Sequence, residues 1–142
     1  MSRAPQFTDL ATLAEEVSSV TTVLSDEEME FLELEGMGEQ LEAHGVHWKH
    51  FKLRDKWIPW DSKAFLELLL PLIHRLEARQ SILVHCNGGK GRTGLVVAAL
   101  LMSQQKSLSE ALGLMRRVRP GMLRNPLQQL FLLHLQPALR QL

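Results

Sequence analysis

A cysteine and an arginine, Cys86 and Arg92, are separated by five residues near the middle of the chain, and three of those five are glycine. The stretch follows a short apolar run at residues 82–84, which suits a strand covered on both faces. It precedes residues 95–102, which are apolar almost all round and suit a helix buried in a core. The sequence therefore predicts a strand, a loop and a helix, with a reactive side chain at each end of the loop.

The predicted loop has the properties of a phosphate-binding site with a nucleophile beside it. A loop that runs into a helix N-terminus presents unpaired backbone N–H groups and the positive end of the helix dipole. Glycines let successive N–H groups turn toward one anion, and the planar fork of Arg92 can hold two of its oxygens. The same positive field favours the thiolate form of Cys86, which is the nucleophilic form. The phosphate would be held by Asn87, Gly88, Gly89, Lys90, Gly91 and Arg92.

The loop and its flanks resemble the signature of the cysteine-dependent protein tyrosine phosphatase superfamily, which here reads His85-Cys86-x-x-Gly89-x-x-Arg92-Thr93-Gly94. From Asp9 to Phe131 the chain is similar to the small dual-specificity branch, particularly the cyclin-dependent kinase inhibitor 3-like phosphatases. The resemblance implies hydrolysis of phosphate monoesters on a protein or peptide, at tyrosine and at serine or threonine, through a phosphocysteine intermediate. A Walker-type nucleotide loop is excluded, because no Gly-Lys-Ser/Thr follows the glycines.

Ester cleavage by a thiolate also needs an acid that protonates the leaving oxygen. In the resembling family this acid is an aspartate on a mobile loop, followed four residues later by proline, and Asp55 and Pro59 have that spacing. Asp55 is therefore the predicted acid, and in the second step the base for the attacking water. An ordinary loop aspartate paired with Arg54 or Lys56 is the alternative. Asp61 competes for the role, but its place before a long helical run indicates a helix N-cap.

Four more residues receive roles from the resemblance and the mechanism. His85 is expected to orient the loop and support the thiolate, which is compatible with a packed histidine at a strand end. Thr93 is expected to donate a hydrogen bond to the cysteine sulfur and so to make it a better leaving group. Asn125 and Gln128 lie where a polar residue of the family helps place the hydrolytic water. A glutamine in the first turn of a helix is otherwise exposed or capping.

The order of helical and strand patterns indicates an α/β fold with a short, mostly parallel central sheet flanked by helices. The strand, phosphate loop and helix lie at its centre, and the N-terminal strands usual in the family are reduced or missing. Ser25-x-x-Glu28 and Ser107-x-x-Glu110 have the pattern of capping boxes. Strands are predicted at residues 20–24, 46–51 and 82–84. Helices are predicted from Thr8 to Val17, across 26–44 in two pieces, at 62–79 with a kink or break at Pro71, and at 92–104, 107–118 and 126–139.

Length and composition restrict the remaining possibilities. The 142 residues are expected to form one catalytic domain, residues 1–142, and sixteen acidic residues balance sixteen basic ones. This balance argues against a general nucleic-acid or anionic-membrane binder. The single cysteine fits a reducing compartment, and no apolar run is long enough for a membrane span. A cytoplasmic protein is expected, and its predicted chemistry requires neither a metal nor another cofactor.

Three alternatives keep the loop and change its use. The substrate could be a phosphoinositide or another small phosphorylated molecule, because Lys90 adds a cation to the loop, although Asn87 stands where such relatives tend to carry a second basic residue. The loop could belong to a phosphate-binding module without turnover, which the presence of Cys86, Asp55 and Arg92 together argues against. Arsenate reduction generally needs further cysteines. The sequence leaves the physiological substrate and the oligomeric state open.

Overall fold

A computed structural model describes residues 10–142 as a three-stranded sheet with helices around it. The predicted helix cap at Thr8 lies outside the described residues. The strands are β1 (Ser19–Thr22), β2 (His47–His50) and β3 (Ile82–His85). The helices are α1 (Leu10–Glu16), α2 (Asp26–Phe31), α3 (Met37–Ala43), α4 (Ser62–Glu77), α5 (Arg92–Ser103), α6 (Leu108–Val118) and α7 (Pro126–Leu139).

All strand pairs in the sheet are parallel, and the strand order is β2-β1-β3. The register aligns the last residues of the three strands, since Thr22 pairs with both His50 and His85. The carboxyl ends of the strands therefore meet at one edge of the sheet, where ligands bind in open parallel sheets. The prediction of a short parallel α/β sheet is confirmed, although each strand is four residues long and β1 and β2 are shorter than expected.

The helix starts follow the local signals in the sequence. Both predicted capping boxes are present, at Ser25 with Glu28 and at Ser107 with Glu110. Pro71 does not divide α4, so the predicted break is wrong. Pro71 lies on the exposed side of the helix, where the carbonyl that its missing N–H leaves free can bond to water.

Helix α5 forms the centre of the core, as its apolar sequence predicts, and packs against α4, α6, α7 and β3. Helix α3 packs closely against the sheet at Gly38. A Cβ atom built on Gly38 would lie 2.2 Å from the ring of Trp48, so only glycine permits this approach. The indole Nε1 of Trp48 in turn donates to Thr22 Oγ1 over 2.9 Å, which anchors the ring beneath the ends of the strands.

Within residues 10–142, no helix is both long enough and apolar enough to cross a membrane.

Candidate active site

Three segments leave the carboxyl ends of the strands, and two of them line one cavity. Helix α2 follows β1, a loop at residues 52–60 follows β2, and the glycine-rich loop at residues 86–91 follows β3. We call residues 52–60 the acid loop and residues 86–91 the phosphate loop. The cavity has a volume of about 490 Å³ and is lined by Asp55, Cys86, Asn87, Gly88, Gly89, Lys90, Gly91 and Arg92. The structure thus brings the predicted phosphate-binding residues and the predicted acid together.

The phosphate loop is held from outside through its carbonyl oxygens. Arg119 Nη2 donates to the carbonyl of Gly88 over 2.8 Å, and the backbone N–H of Leu123 donates to the carbonyl of Lys90 over 3.0 Å. Gly91, at the N-cap of α5, provides no side-chain cap for the helix. The first N–H groups of α5 are therefore left without a side-chain acceptor, which suits an anion.

The Cys86 side chain lies at the bottom of this cavity and receives two hydrogen bonds. Thr93 Oγ1 donates to Cys86 Sγ over 3.1 Å, and the backbone N–H of Gly89 donates to it over 3.2 Å. Gly89 adopts a φ of 75°, a conformation that favours glycine. Both bonds stabilise negative charge on sulfur, which is the charge of a thiolate nucleophile and of a thiolate leaving group. The predicted contact between Thr93 and the sulfur is present.

Three protein acceptors orient the buried guanidinium of Arg92. Its Nη1 donates to Glu28 Oε1 and, over 2.9 Å, to the carbonyl of Leu53, while its Nη2 donates to Glu28 Oε2 over 2.8 Å. Arg92 Nε has no partner among the described residues. A guanidinium has five N–H groups, so the Nε–H and one Nη2–H remain on a single edge. That edge can bind two phosphate oxygens at once.

Electrostatics keep the Arg92–Glu28 pair charged. Burial by itself would lower the pKa of Arg92, but the hydrogen bonds and charge of Glu28 outweigh it and raise that pKa. The hydrogen bond from Arg92 is the largest cause that lowers the pKa of Glu28, to about 2. From the sequence, Glu28 is predicted only as part of a capping box. Its place in the segment that follows a strand, at the edge where parallel strands end, was the signal that could have identified it.

Replacing Glu28 with glutamine tests this orienting role, because glutamine also completes a capping box. We expect kcat/KM for a phosphopeptide to fall about 10- to 100-fold, since a hydrogen bond to a charged group contributes about 1.5–3 kcal/mol. Steady-state kinetics of Glu28→Gln against Glu30→Gln, an exposed glutamate of the same helix, measures the effect. Equal activity of the two variants would show that Arg92 does not depend on Glu28.

Asp55 and Asp61 have different surroundings. Asp55 is two-thirds exposed, and its Oδ1 lies 3.7 Å from Arg92 Nη2, at the mouth of the cavity. Asp61 accepts hydrogen bonds from the backbone N–H groups of Lys63 and Ala64 at 3.0 and 3.2 Å. The N-cap interpretation of Asp61 is therefore confirmed. Of the two candidates only Asp55 lines the cavity, and its role as the acid stays a prediction.

His85 lies fully buried beneath the phosphate loop. Its Nε2 is 2.7 Å from Thr22 Oγ1, which also accepts from the Trp48 indole, so the three side chains form a chain of hydrogen bonds across the sheet. Its Nδ1 has no partner among the described side chains and backbone groups. Burial lowers the pKa of His85 to about 4, with the nearby His50 as a smaller cause. The neutral imidazole packs against the sheet, and its role in orienting the loop stays a prediction.

This burial predicts how stability depends on pH. The pKa of His85 falls from 6.5 to about 4 on folding, so between these values the unfolded chain binds more protons. The free energy of unfolding should therefore decrease as pH falls through about 6.5, and lose about 3 kcal/mol by pH 4. Denaturant unfolding of His85→Gln should lack most of this loss, whereas the exposed control His134→Gln should keep it. The Glu28 carboxyl titrates in a separate, lower window, between 4.5 and about 2.

Asn125 and Gln128 lie at the start of α7 and contact the acid loop. Asn125 is the N-cap of the helix, and its Nδ2 donates to the carbonyl of Lys56 over 3.0 Å. Gln128 is completely buried, and its Nε2 donates to the carbonyl of Trp57 over 2.9 Å. The alternative that Gln128 is an exposed residue is wrong. The capping alternative for Gln128 is also wrong, because Asn125 is the N-cap and the Gln128 amide donates to the acid loop. The water-positioning role of both residues stays a prediction.

Comparisons with known proteins agree with this site. The family model of the dual specificity phosphatase catalytic domain matches residues 40–136. The crystal structure of Tk-PTP in the active form has a TM-score of 0.84 and 33% sequence identity, with 96% of this chain and 89% of that chain covered. The tyrosine-protein phosphatase CDC14 homolog of Schizosaccharomyces pombe is 31% identical over 85 residues, which are 59% of this chain and 16% of that protein. The structure of PTPMT1 in complex with PI(5)P has a TM-score of 0.87 at 19% identity, which shows the fold alone.

The chain therefore belongs to the dual specificity phosphatase catalytic domain family. The predictions of the family, and of its enzyme class as a cysteine-dependent protein phosphatase, agree with these findings. The chain spans between 10% and 29% of the lengths of the curated relatives that it matches.

Proposed function

We propose that this domain removes phosphate from phosphorylated tyrosine, serine and threonine residues of proteins through a phosphocysteine intermediate. The observation that carries the proposal is the convergence on one cavity of Cys86 Sγ, the free edge of Arg92 and the Asp55 carboxyl. A nucleophile, an anion clamp and an acid at one site are the parts that phosphate ester cleavage needs. We further propose that residues 1–142 form a single catalytic domain, and the cytoplasmic location stays a prediction.

In the first step the Cys86 thiolate attacks phosphorus. An S–P bond forms while the P–O bond to the substrate breaks, and the proton of Asp55 passes to the departing oxygen. The loop N–H groups and Arg92 hold the three non-bridging oxygens while charge redistributes on them. Thr93 and the Gly89 N–H stabilise the charge on sulfur before the attack.

In the second step water attacks the phosphorus of phosphocysteine. Asp55 takes a proton from this water, the S–P bond breaks, and the thiolate and inorganic phosphate are released. The same two hydrogen bonds to sulfur now stabilise the leaving group. Asp55 ends the cycle with the proton that it lost in the first step, so one ester bond and one water are consumed per turnover.

Basic residues around the cavity support an anionic protein segment as substrate. A Cβ atom on Gly121 would lie 3.6 Å from Lys90 Nζ and 3.9 Å from Arg124 Nε, so these two cations meet at the turn beside the phosphate loop. Arg119 reaches the same loop through Gly88. Neither Lys90 nor Arg124 forms an ion pair among residues 10–142. Such a rim attracts phosphorylated substrates and raises their association rate.

Phosphate release from matched substrates tests the proposal. Peptides of one sequence carrying phosphotyrosine, phosphoserine or phosphothreonine should all be hydrolysed, and soluble phosphoinositides should be hydrolysed more slowly. Acid quenching during turnover should trap phosphate on Cys86, detectable by mass spectrometry. Faster release from phosphoinositides would assign the domain to lipid headgroups instead. Tight phosphopeptide binding without release would indicate a binding module.

A further inference from the structure

Two side-chain amides join the acid loop to helix α7. Asn125 donates to the carbonyl of Lys56, and Gln128 donates to the carbonyl of Trp57. The two acceptors are the residues that directly follow Asp55. Each bond connects parts of the chain that are about 70 residues apart in sequence, since the separations are 69 and 71. The position of the Asp55 segment is thus tied to the start of α7.

The orientation of each amide is determined by its other contacts. Asn125 Oδ1 accepts from the N–H of Leu127 over 2.9 Å, so its Nδ2 must point away from the helix. Gln128 Oε1 lies 3.4 Å from the position that a Cβ atom on Gly91 would take. Reversing the Gln128 amide would place its oxygen against the carbonyl of Trp57, which offers no hydrogen. Gln128 therefore fills the space between the acid loop and the phosphate loop with its donor on the acid loop.

The acid loop needs such support because its own backbone disfavours this conformation. Lys56, the residue after Asp55, has a φ of 63°, in the left-handed region that residues with a Cβ atom rarely adopt. Within the loop, the N–H of Trp57 donates to the carbonyl of Arg54 over 3.2 Å. Strained backbone of this kind persists where the surrounding structure holds it in place.

We propose that Asn125 and Gln128 are positioning residues that hold the acid loop, and with it the Asp55 carboxyl, over the phosphate loop. This inference rests on the proposed phosphatase function. It differs from the placement of the hydrolytic water, because it acts through Asp55 and therefore on the first step as well as the second. Loss of either bond lowers the fraction of the enzyme in which the acid loop lies over the cavity and the acid meets the leaving oxygen.

Leaving-group dependence separates the two roles. In a two-step reaction kcat/KM reports the steps up to departure of the first leaving group. A holding role predicts that Asn125→Ser and Gln128→Met lower kcat/KM for phenyl phosphate about 3- to 10-fold, the effect of one neutral hydrogen bond. Hydrolysis of p-nitrophenyl phosphate, whose phenol is far more acidic, should change less than about 2-fold, because it depends less on the acid. In Asn125→Ser the serine can still cap helix α7, so the helix start is preserved.

The chain offers a matched control in Gln129→Met. Gln129 is the next residue of α7, and its Nε2 donates to the carbonyl of Leu123 instead of the acid loop. This variant should leave the ratio of the two substrates unchanged. In an Asp55→Asn background, Asn125→Ser and Gln128→Met should cause no further loss, because the group that they position is absent.

A measurement without activity distinguishes failure of the inference from failure of the proposed function. Hydrogen exchange of the Trp57 N–H should become about 3- to 10-fold faster in Asn125→Ser and Gln128→Met, and stay unchanged in Gln129→Met. Inert wild-type enzyme with this change in exchange would refute the function and keep the holding role. Unchanged exchange would overturn the holding role, as would equal losses with both aryl phosphates. A lower kcat, preceded by a burst of the first product, together with an unchanged kcat/KM would assign the residues to water positioning instead.

Discussion

Replacing Cys86 with serine is expected to lower kcat/KM for a phosphotyrosine peptide by at least about 10⁴-fold, as loss of a covalent nucleophile does in other enzymes. The hydroxyl of serine ionises far less readily than a thiol, so the phosphate loop can no longer generate an ionised nucleophile at this position. The loop itself should be preserved, because a serine oxygen can accept the hydrogen bonds that Thr93 and the Gly89 N–H now donate to sulfur. Steady-state hydrolysis of the peptide by wild type and Cys86→Ser measures the loss.

Binding provides the control for this variant. Arg92 and the N–H groups of the phosphate loop are unchanged, so Cys86→Ser should bind the phosphotyrosine peptide with an affinity close to the KM of the wild type. Calorimetry with the unhydrolysed peptide measures that affinity, and thermal unfolding confirms that the variant is folded. If Cys86→Ser kept more than about a tenth of the wild-type rate, the nucleophile would be another group and the phosphocysteine mechanism would be wrong.

The centre of the site is predictable from sequence because its signals are local. Cys86 and Arg92 lie within one strand–loop–helix unit, and its apolar flanks and glycines each favour the conformation that the structure has. The N-cap role of Asp61 is likewise visible in the residues that follow it. Such short-range patterns depend on backbone hydrogen bonding within one or two turns and need no knowledge of the rest of the fold.

The contacts that complete the site are long-range, and no local pattern encodes them. Glu28 meets Arg92 across 64 residues, and it already satisfies a capping box, which explained its presence. Gln128 reaches Trp57 across 71 residues and is buried by the packing of two loops. Helix α4 continues through Pro71 because Pro71 faces solvent, and which side of a helix faces solvent is a property of the tertiary structure. Sequence thus predicted the reactive groups better than the residues that hold them.

The acid has the second largest expected effect. Asp55→Asn should lower kcat/KM for a phosphoserine peptide by about 10²–10⁴-fold, the usual contribution of general acid–base catalysis. The loss should be smaller for p-nitrophenyl phosphate, because its leaving group needs little protonation. Asparagine preserves the size of the side chain but cannot donate a proton to the leaving oxygen.

Asp61→Asn is the matched control, because it makes the same chemical change at the competing aspartate. Asparagine caps helices about as well as aspartate does, so the hydrogen bonds to Lys63 and Ala64 can persist and stability should be preserved. We expect its kcat/KM to match that of the wild type for both the phosphoserine peptide and p-nitrophenyl phosphate. The reverse result, with Asp61→Asn impaired and Asp55→Asn normal, would move the acid to Asp61. The position of Asp55 at 3.7 Å from Arg92, against the N-cap geometry of Asp61, is the reason to expect the first outcome.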